Sequence, residues 1–409
     1  MRKQLLIALV IILPIISIAQ DNNFGIKFHG FVKNDIYWDS RQYVAAREGQ
    51  FYLYPKGESF DINGNDINAT PTFNIISIQT RLKGVITGPD AFGAKTSAVI
   101  EGAFFGHTAA DINGFRLRHA FAKLNWTNTE LLVGQYWHSM FITECFPGTV
   151  SFNTGTPFQP FSRNPQIRLT QKFGDFKIKI SAMSQRDFVS SGPEGASTKY
   201  LRNSVLPEMN LTIQYNKKSD NNEFLIGAGV DYKKLTPRLI TDSLYSTNET
   251  SNSLSTMAFL KVKIPALTIK MEGIYGQDMY SMTMIGGYAV TDIIDISKNY
   301  LEYTPLTTLS FWTDIHTNGK KIQAGLFAGY SQNMGCNKII IGNTYARGGN
   351  INYLYRVSPR IMFNSGKMRF SGEVEYTTAA YGLTDIDGTV FDSKEISNLR
   401  LLIGVYYFF

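Results

Sequence analysis

The chain has 409 residues, 13% aromatic and only 18% charged, with a formal net charge of +7 and two cysteines. That length allows one large domain or two ordinary ones. The basic residues form no clustered run of the kind that grips nucleic acid, and two cysteines cannot build a disulfide scaffold.

Residues 1–19 begin basic (Arg2, Lys3), turn apolar from Leu5 to Ile18 and end in Ser17-Ile18-Ala19. This is the three-part pattern of a cleaved secretory signal peptide, and it leaves 20–409 as the mature chain. No later stretch reaches the roughly 18 apolar residues of a spanning helix. Any membrane-spanning part is therefore a closed barrel, which satisfies its own backbone polar groups in lipid. Mean hydropathy is −0.12, a middling value that alternating lipid-facing and water-facing residues produce.

The first strand, 26–39, places Ile26, Phe28, Val32, Ile36 and Trp38 on one face and Lys27, His29, Lys33, Asp35 and Asp39 on the other, the alternation of a tilted transmembrane strand. A long loop, 40–73, precedes strands at 74–87, 92–105, 114–126 and 130–137. Within 114–126, Arg116, Arg118, Ala120 and Ala122 are expected opposite Phe115, Leu117 and Phe121, which leaves His119 packed among the apolar residues. Further strands fall at 166–173, 175–186, 207–216, 223–233, 255–264, 267–277, 304–316, 321–330, 351–364, 367–377 and 397–409, the last ending on an aromatic residue as outer-membrane barrels do. Short turns alternate with long loops, and the count of sixteen is even. The expected fold is all-β, a 16-stranded antiparallel transmembrane barrel with short turns at one rim and long loops at the other.

The loop after strand five, 138–165, is rich in proline and aromatic residues. So long an insertion in a compact domain is usually functional, and its aromatic content argues against disorder. It is expected to fold into the lumen as a constriction, with Phe141, Glu144, Phe146, Phe152, Phe158 and Arg163 as its key residues. The polar strand faces carry Arg81, Lys83, Arg116, Arg118, Arg168, Arg356, Arg360, Arg369 and Arg400, with too few carboxylates on the same faces to pair all the cations. A lumen lined by one sign of charge concentrates the opposite ion, and the planar arginine fork holds carboxylates or phosphates bidentately. Cys145 and Cys336 both fall in external loops, and their spacing decides nothing about a bond between them.

Four stretches, FHGFVKNDIYWDSRQ (28–42), RLRHAFAKLNW (116–126), GQYWHSMF (134–141) and PFSRNPQIRL (160–169), resemble the DcaP-like trimeric outer-membrane transporters in the form found in Bacteroidetes. The resemblance implies a homotrimer in the outer membrane of a Gram-negative bacterium that passes small anionic solutes such as dicarboxylates. A phosphate-selective porin is the alternative, and a surface receptor or adhesin barrel a more distant one. An energy-coupled receptor is not expected, because no length for a plug domain precedes strand one. No GxSxG, HExxH, P-loop or paired CxxC motif is present, and the five histidines have no selecting spacing. Neither an enzyme nor a bound cofactor, metal or nucleic acid is expected.

Overall fold

The computed structural model describes residues 24–409; the expected signal peptide lies outside the described residues. The sixteen barrel strands are β1 Gly25–Asp39, β2 Thr72–Ile76 continued by Arg81–Thr87, β3 Lys95–Ala103, β4 Arg116–Asn125, β5 Thr129–Trp137, β6 Arg163–Phe173, β7 Phe176–Met183, β8 Glu208–Lys218, β9 Glu223–Leu235, β10 Ser251–Lys263, β11 Leu267–Gln277, β12 Thr307–Thr317, β13 Ile322–Asn333, β14 Ile351–Ser365, β15 Met368–Thr384 and β16 Val390–Phe408. Neighbours pair antiparallel in chain order. The sheet closes where β1 meets β16, from Phe31 opposite Phe408 to Asp39 opposite Arg400, so no unpaired edge is left in lipid.

The period-two pattern decides which side faces what. Along β1, Lys33, Asp35, Tyr37 and Asp39 are buried inside, while Ile26, Phe28, Val32 and Trp38 are exposed outside. The same division recurs around the barrel, where Ile100, Ile167, Ile213, Ile226, Phe311, Ile361 and Ile403 all lie exposed on the exterior. A continuous apolar exterior of this kind needs hydrocarbon around it.

Several expectations change in detail. Strand two is interrupted at residues 77–80, where Gln79 accepts from the Lys33 ammonium. The long external loop expected between 377 and 397 is instead a hairpin: β15 and β16 extend beyond the barrel and turn at residues 385–389. The facing of β4 is also corrected. A bulge at the Glu101/Gly102 step of β3 lets Arg118 and His119 both turn inward, and from there on Phe121 and Lys123 rather than Ala120 and Ala122 face the lumen. His119 is packed, as expected, but against inner-wall Tyr136 and Trp137.

The lumen holds more than the predicted loop. Residues 138–162 fold inward, and so does a hairpin from the first external loop, Tyr43–Ala46 with Phe51–Pro55. Phe51 packs on Phe152 and Phe161 with ring centroids 5.7 and 5.0 Å apart, and the two insertions share one apolar core. Outside the mouth, Gly286–Asp295, Tyr300–Pro305 and Thr344–Arg347 form a small three-stranded sheet that was expected to be irregular loop.

Candidate functional site: a constricted lumen with an arginine cluster

Aromatic stacking shapes the inward loop. Trp137, the last residue of β5, stacks on Phe141 at 3.9 Å between centroids with planes 10° apart, and Phe161 meets Trp137 edge-on at 5.1 Å. Buried rings hold such a loop with few rotatable bonds to freeze. The loop then crosses to the opposite wall. Glu373 of β15 accepts from the backbone N–H groups of Val150 (2.6 Å) and Ser151 (3.1 Å), and Glu375 accepts from Asn153 Nδ2 at 2.7 Å. Lys33 Nζ donates to Val150 O at 2.8 Å, and Gly148 N donates to Asp314 at 3.2 Å.

The predicted pore-lining arginines divide between the two walls. On the far wall, Arg400 grips Asp39 through two bonds of 2.9 Å and donates to Gly49 O. Arg356 pairs with Glu375 at 3.5 Å and donates to Thr156 O and Leu53 O, and Arg360 holds Asp314 at 2.8 and 3.0 Å. These three are paired and buried, and two of them clamp the carbonyls of the inserted segments. On this wall the expected shortage of carboxylates does not hold, because Asp39, Glu375 and Asp314 give each of the three arginines a partner. Arg168 donates to Trp137 O and Ser139 Oγ and stacks on Tyr136, securing the loop's root. Arg369 lies near the turn end of β15, bonded to Asn364 and over Tyr406 and Phe408.

The near wall, formed by β2 to β4 with the start of β6, is different. Arg116 and Arg163 share Asp187; Arg81 (3.4 Å) and Arg118 (2.7 Å) share Glu101; and Lys83 stands opposite Glu101 in the strand register. A fifth guanidinium, Arg47, comes from the inserted hairpin. The guanidinium carbons of Arg47, Arg116, Arg118 and Arg163 lie 4.6, 5.7, 5.6 and 5.7 Å from the centre of a single ring, Phe105. Cation–π attraction of about 1 kcal/mol or more per desolvated pair partly offsets crowding these like charges. Arg47 Nη2, Arg118 Nη1 and Arg163 Nη1 are buried without a hydrogen-bond partner, so the hydrogen-bonding capacity of the cluster is not filled by its two carboxylates. Burial pushes the Asp187 carboxyl up, but Arg163 and Arg116 overcome this and hold it below the usual carboxylate range. The cluster's charge therefore does not change by protonation of Asp187 as the medium turns mildly acidic.

Arg81, Lys123, Lys177 and Glu144 keep about a quarter of their side-chain surface exposed, at 23, 25, 27 and 26%. Glu144 is engaged by Lys177 and Lys179 at 3.8 and 3.4 Å, so the loop's one acid is already matched. Phe152 and Phe158 are buried in the packed plug and Phe146 stays partly exposed against Lys270. Arg163, expected in the loop, is instead the first residue of β6. Both cysteines are free, Cys145 buried in the loop and Cys336 outside.

Arg47 and Asp187 were not among the expected residues. The aromatic run FYLYP at 51–55 in an otherwise polar loop was the available signal for the hairpin that carries Arg47. Asp187 follows a strand end and had no pattern to mark it.

No protein-family model matches the chain, and no curated protein does. Solved structures do match its fold. The outer membrane channel DcaP of Acinetobacter baumannii superposes with a TM-score of 0.68 at 16% identity, covering 95% of this chain and 99% of that one. OmpT of Vibrio cholerae, an outer membrane protein, gives 0.53 at 10% identity over 95% and 99%. An anion-selective porin from Comamonas acidovorans gives 0.53 at 10% over 94% and 100%.

Proposed function

We propose that this chain, once its leader is removed, is a passive outer-membrane diffusion channel for small hydrophilic solutes, with a preference for anions such as dicarboxylates. The fold is that of outer-membrane porins. The observation that carries the anion preference is the near-wall cluster, in which Arg47, Arg81, Lys83, Arg116, Arg118 and Arg163 share, among the described residues, the two carboxylates Glu101 and Asp187. Placed in a dry constriction, that surplus attracts anions and repels cations far more than it would in bulk water. The likeness to DcaP and to an anion-selective porin, together with the quoted sequence stretches, supports this reading and a homotrimeric, DcaP-like assembly of the Bacteroidetes form.

Phosphate is the second reading, because a guanidinium fork fits a phosphate as well as a carboxylate. Competition in a planar bilayer separates the two. With chloride carrying the current, a dicarboxylate such as succinate added on one side is expected to interrupt single-channel current in a concentration-dependent way, and more effectively than phosphate. Stronger interruption by phosphate would transfer the assignment to the second reading, and a current indifferent to both would remove the binding cluster from the account.

A further inference from the structure

At the root of the inward loop lies a second polar cluster that takes no part in the arginine wall. His138, the first loop residue, Glu208, the first residue of β8, and Asp231 of β9 are all buried. His138 Nε2 is 3.5 Å from Glu208 Oε1 and 4.0 Å from Asp231 Oδ1, and one ligand atom from each residue falls within 4.8 Å of the others. Asp231 Oδ1 accepts from Asn210 at 3.1 Å, but His138 Nε2 and both oxygens of Glu208 have no hydrogen-bond partner. Unpartnered polar atoms at this depth are costly.

Charge makes the same point. The nearby Lys233 ammonium is already matched to Asp278 at 3.1 Å, with Ser281 Oγ at 3.2 Å. That leaves the Glu208 and Asp231 carboxylates facing each other where water does not reach. A divalent ion balances two carboxylates, and an imidazole ligand adds no charge.

We propose that His138, Glu208 and Asp231 form a binding site for a divalent first-row transition-metal ion, with zinc as the representative. One imidazole nitrogen and two carboxylates suit such an ion, and donor atoms round a tetrahedral zinc sit about 3.3 Å apart, so the cluster closes on an ion with shifts of about 1 Å. Binding has a structural consequence. Met140 N–H now donates to His138 Nδ1 at 3.2 Å, whereas a ring that ligates through Nε2 carries its proton on Nδ1. The loaded site therefore releases Met140 N–H and changes the first turn of the inward loop, coupling metal occupancy to the element that constricts the lumen.

The full-length mature protein, expressed in zinc-supplemented medium so that the ion is present while the barrel assembles, is purified in detergent and desalted. Elemental analysis is expected to find about one zinc per chain. His138→Ala and Glu208→Gln are expected to fall to background, and His107→Ala, outside the cluster, to keep its zinc. Chelator is expected to lower the melting temperature of the parent protein and to leave that of Glu208→Gln unchanged. A parent protein free of zinc, or a His138→Ala or Glu208→Gln chain that retains it, would overturn the proposal.

Discussion

Replacing Arg116 and Arg118 together by alanine is expected to cut the chloride-to-potassium permeability ratio roughly tenfold, the equivalent of about 1.4 kcal/mol. A unit charge about 6 Å from an ion is worth on the order of 3 kcal/mol at an effective dielectric of 20, and salt screens much of that. The double variant should still fold. Asp187 keeps Arg163 and Glu101 keeps Arg81, so neither carboxylate is stranded, whereas the loss of Arg400 would strip the buried Asp39 of its bidentate partner and typically costs about 3–5 kcal/mol. Reversal potential in a salt gradient measures the change, and an unaltered ratio would place the filter elsewhere.

The second expectation concerns the aperture. Excising residues 148–157 and bridging the gap with glycines removes the segment that Glu373, Glu375, Lys33 and Arg356 tie to the far wall. Single-channel conductance is expected to rise several-fold, since the plug's central part is gone while the strand ladder is untouched. Anion preference should persist, because the near-wall arginines stay in place. Conductance that does not change would mean that the hairpin carrying Phe51 alone sets the narrowest point.

The barrel was legible because its physics is local. Two-residue alternation along 26–39 and 397–409, short turns alternating with long loops, and an even strand count are all imposed by lipid outside and water inside. The inward course of 138–162 was legible from its proline and aromatic content. What the sequence hid is long-range. The bulge that turns His119 inward depends on the register between β3 and β4, which a slip of one residue reverses. The pairing of Arg400 with Asp39 joins residues 361 positions apart, and Arg47 reaches the cluster only because its hairpin enters the barrel. A strand-face count treated the basic residues as one lining. The fold sorts them into a paired far wall that holds the plug and a near wall where Arg47, Arg81, Lys83, Arg116, Arg118 and Arg163 share Glu101 and Asp187.

The central claim is that the near wall makes this an anion-preferring channel. Purified protein in a planar bilayer, held in a potassium chloride gradient, gives the most direct test. The account predicts stepwise conductance with a reversal potential of the sign that chloride selectivity produces. A reversal potential of the opposite sign, or no conductance at all, would contradict it.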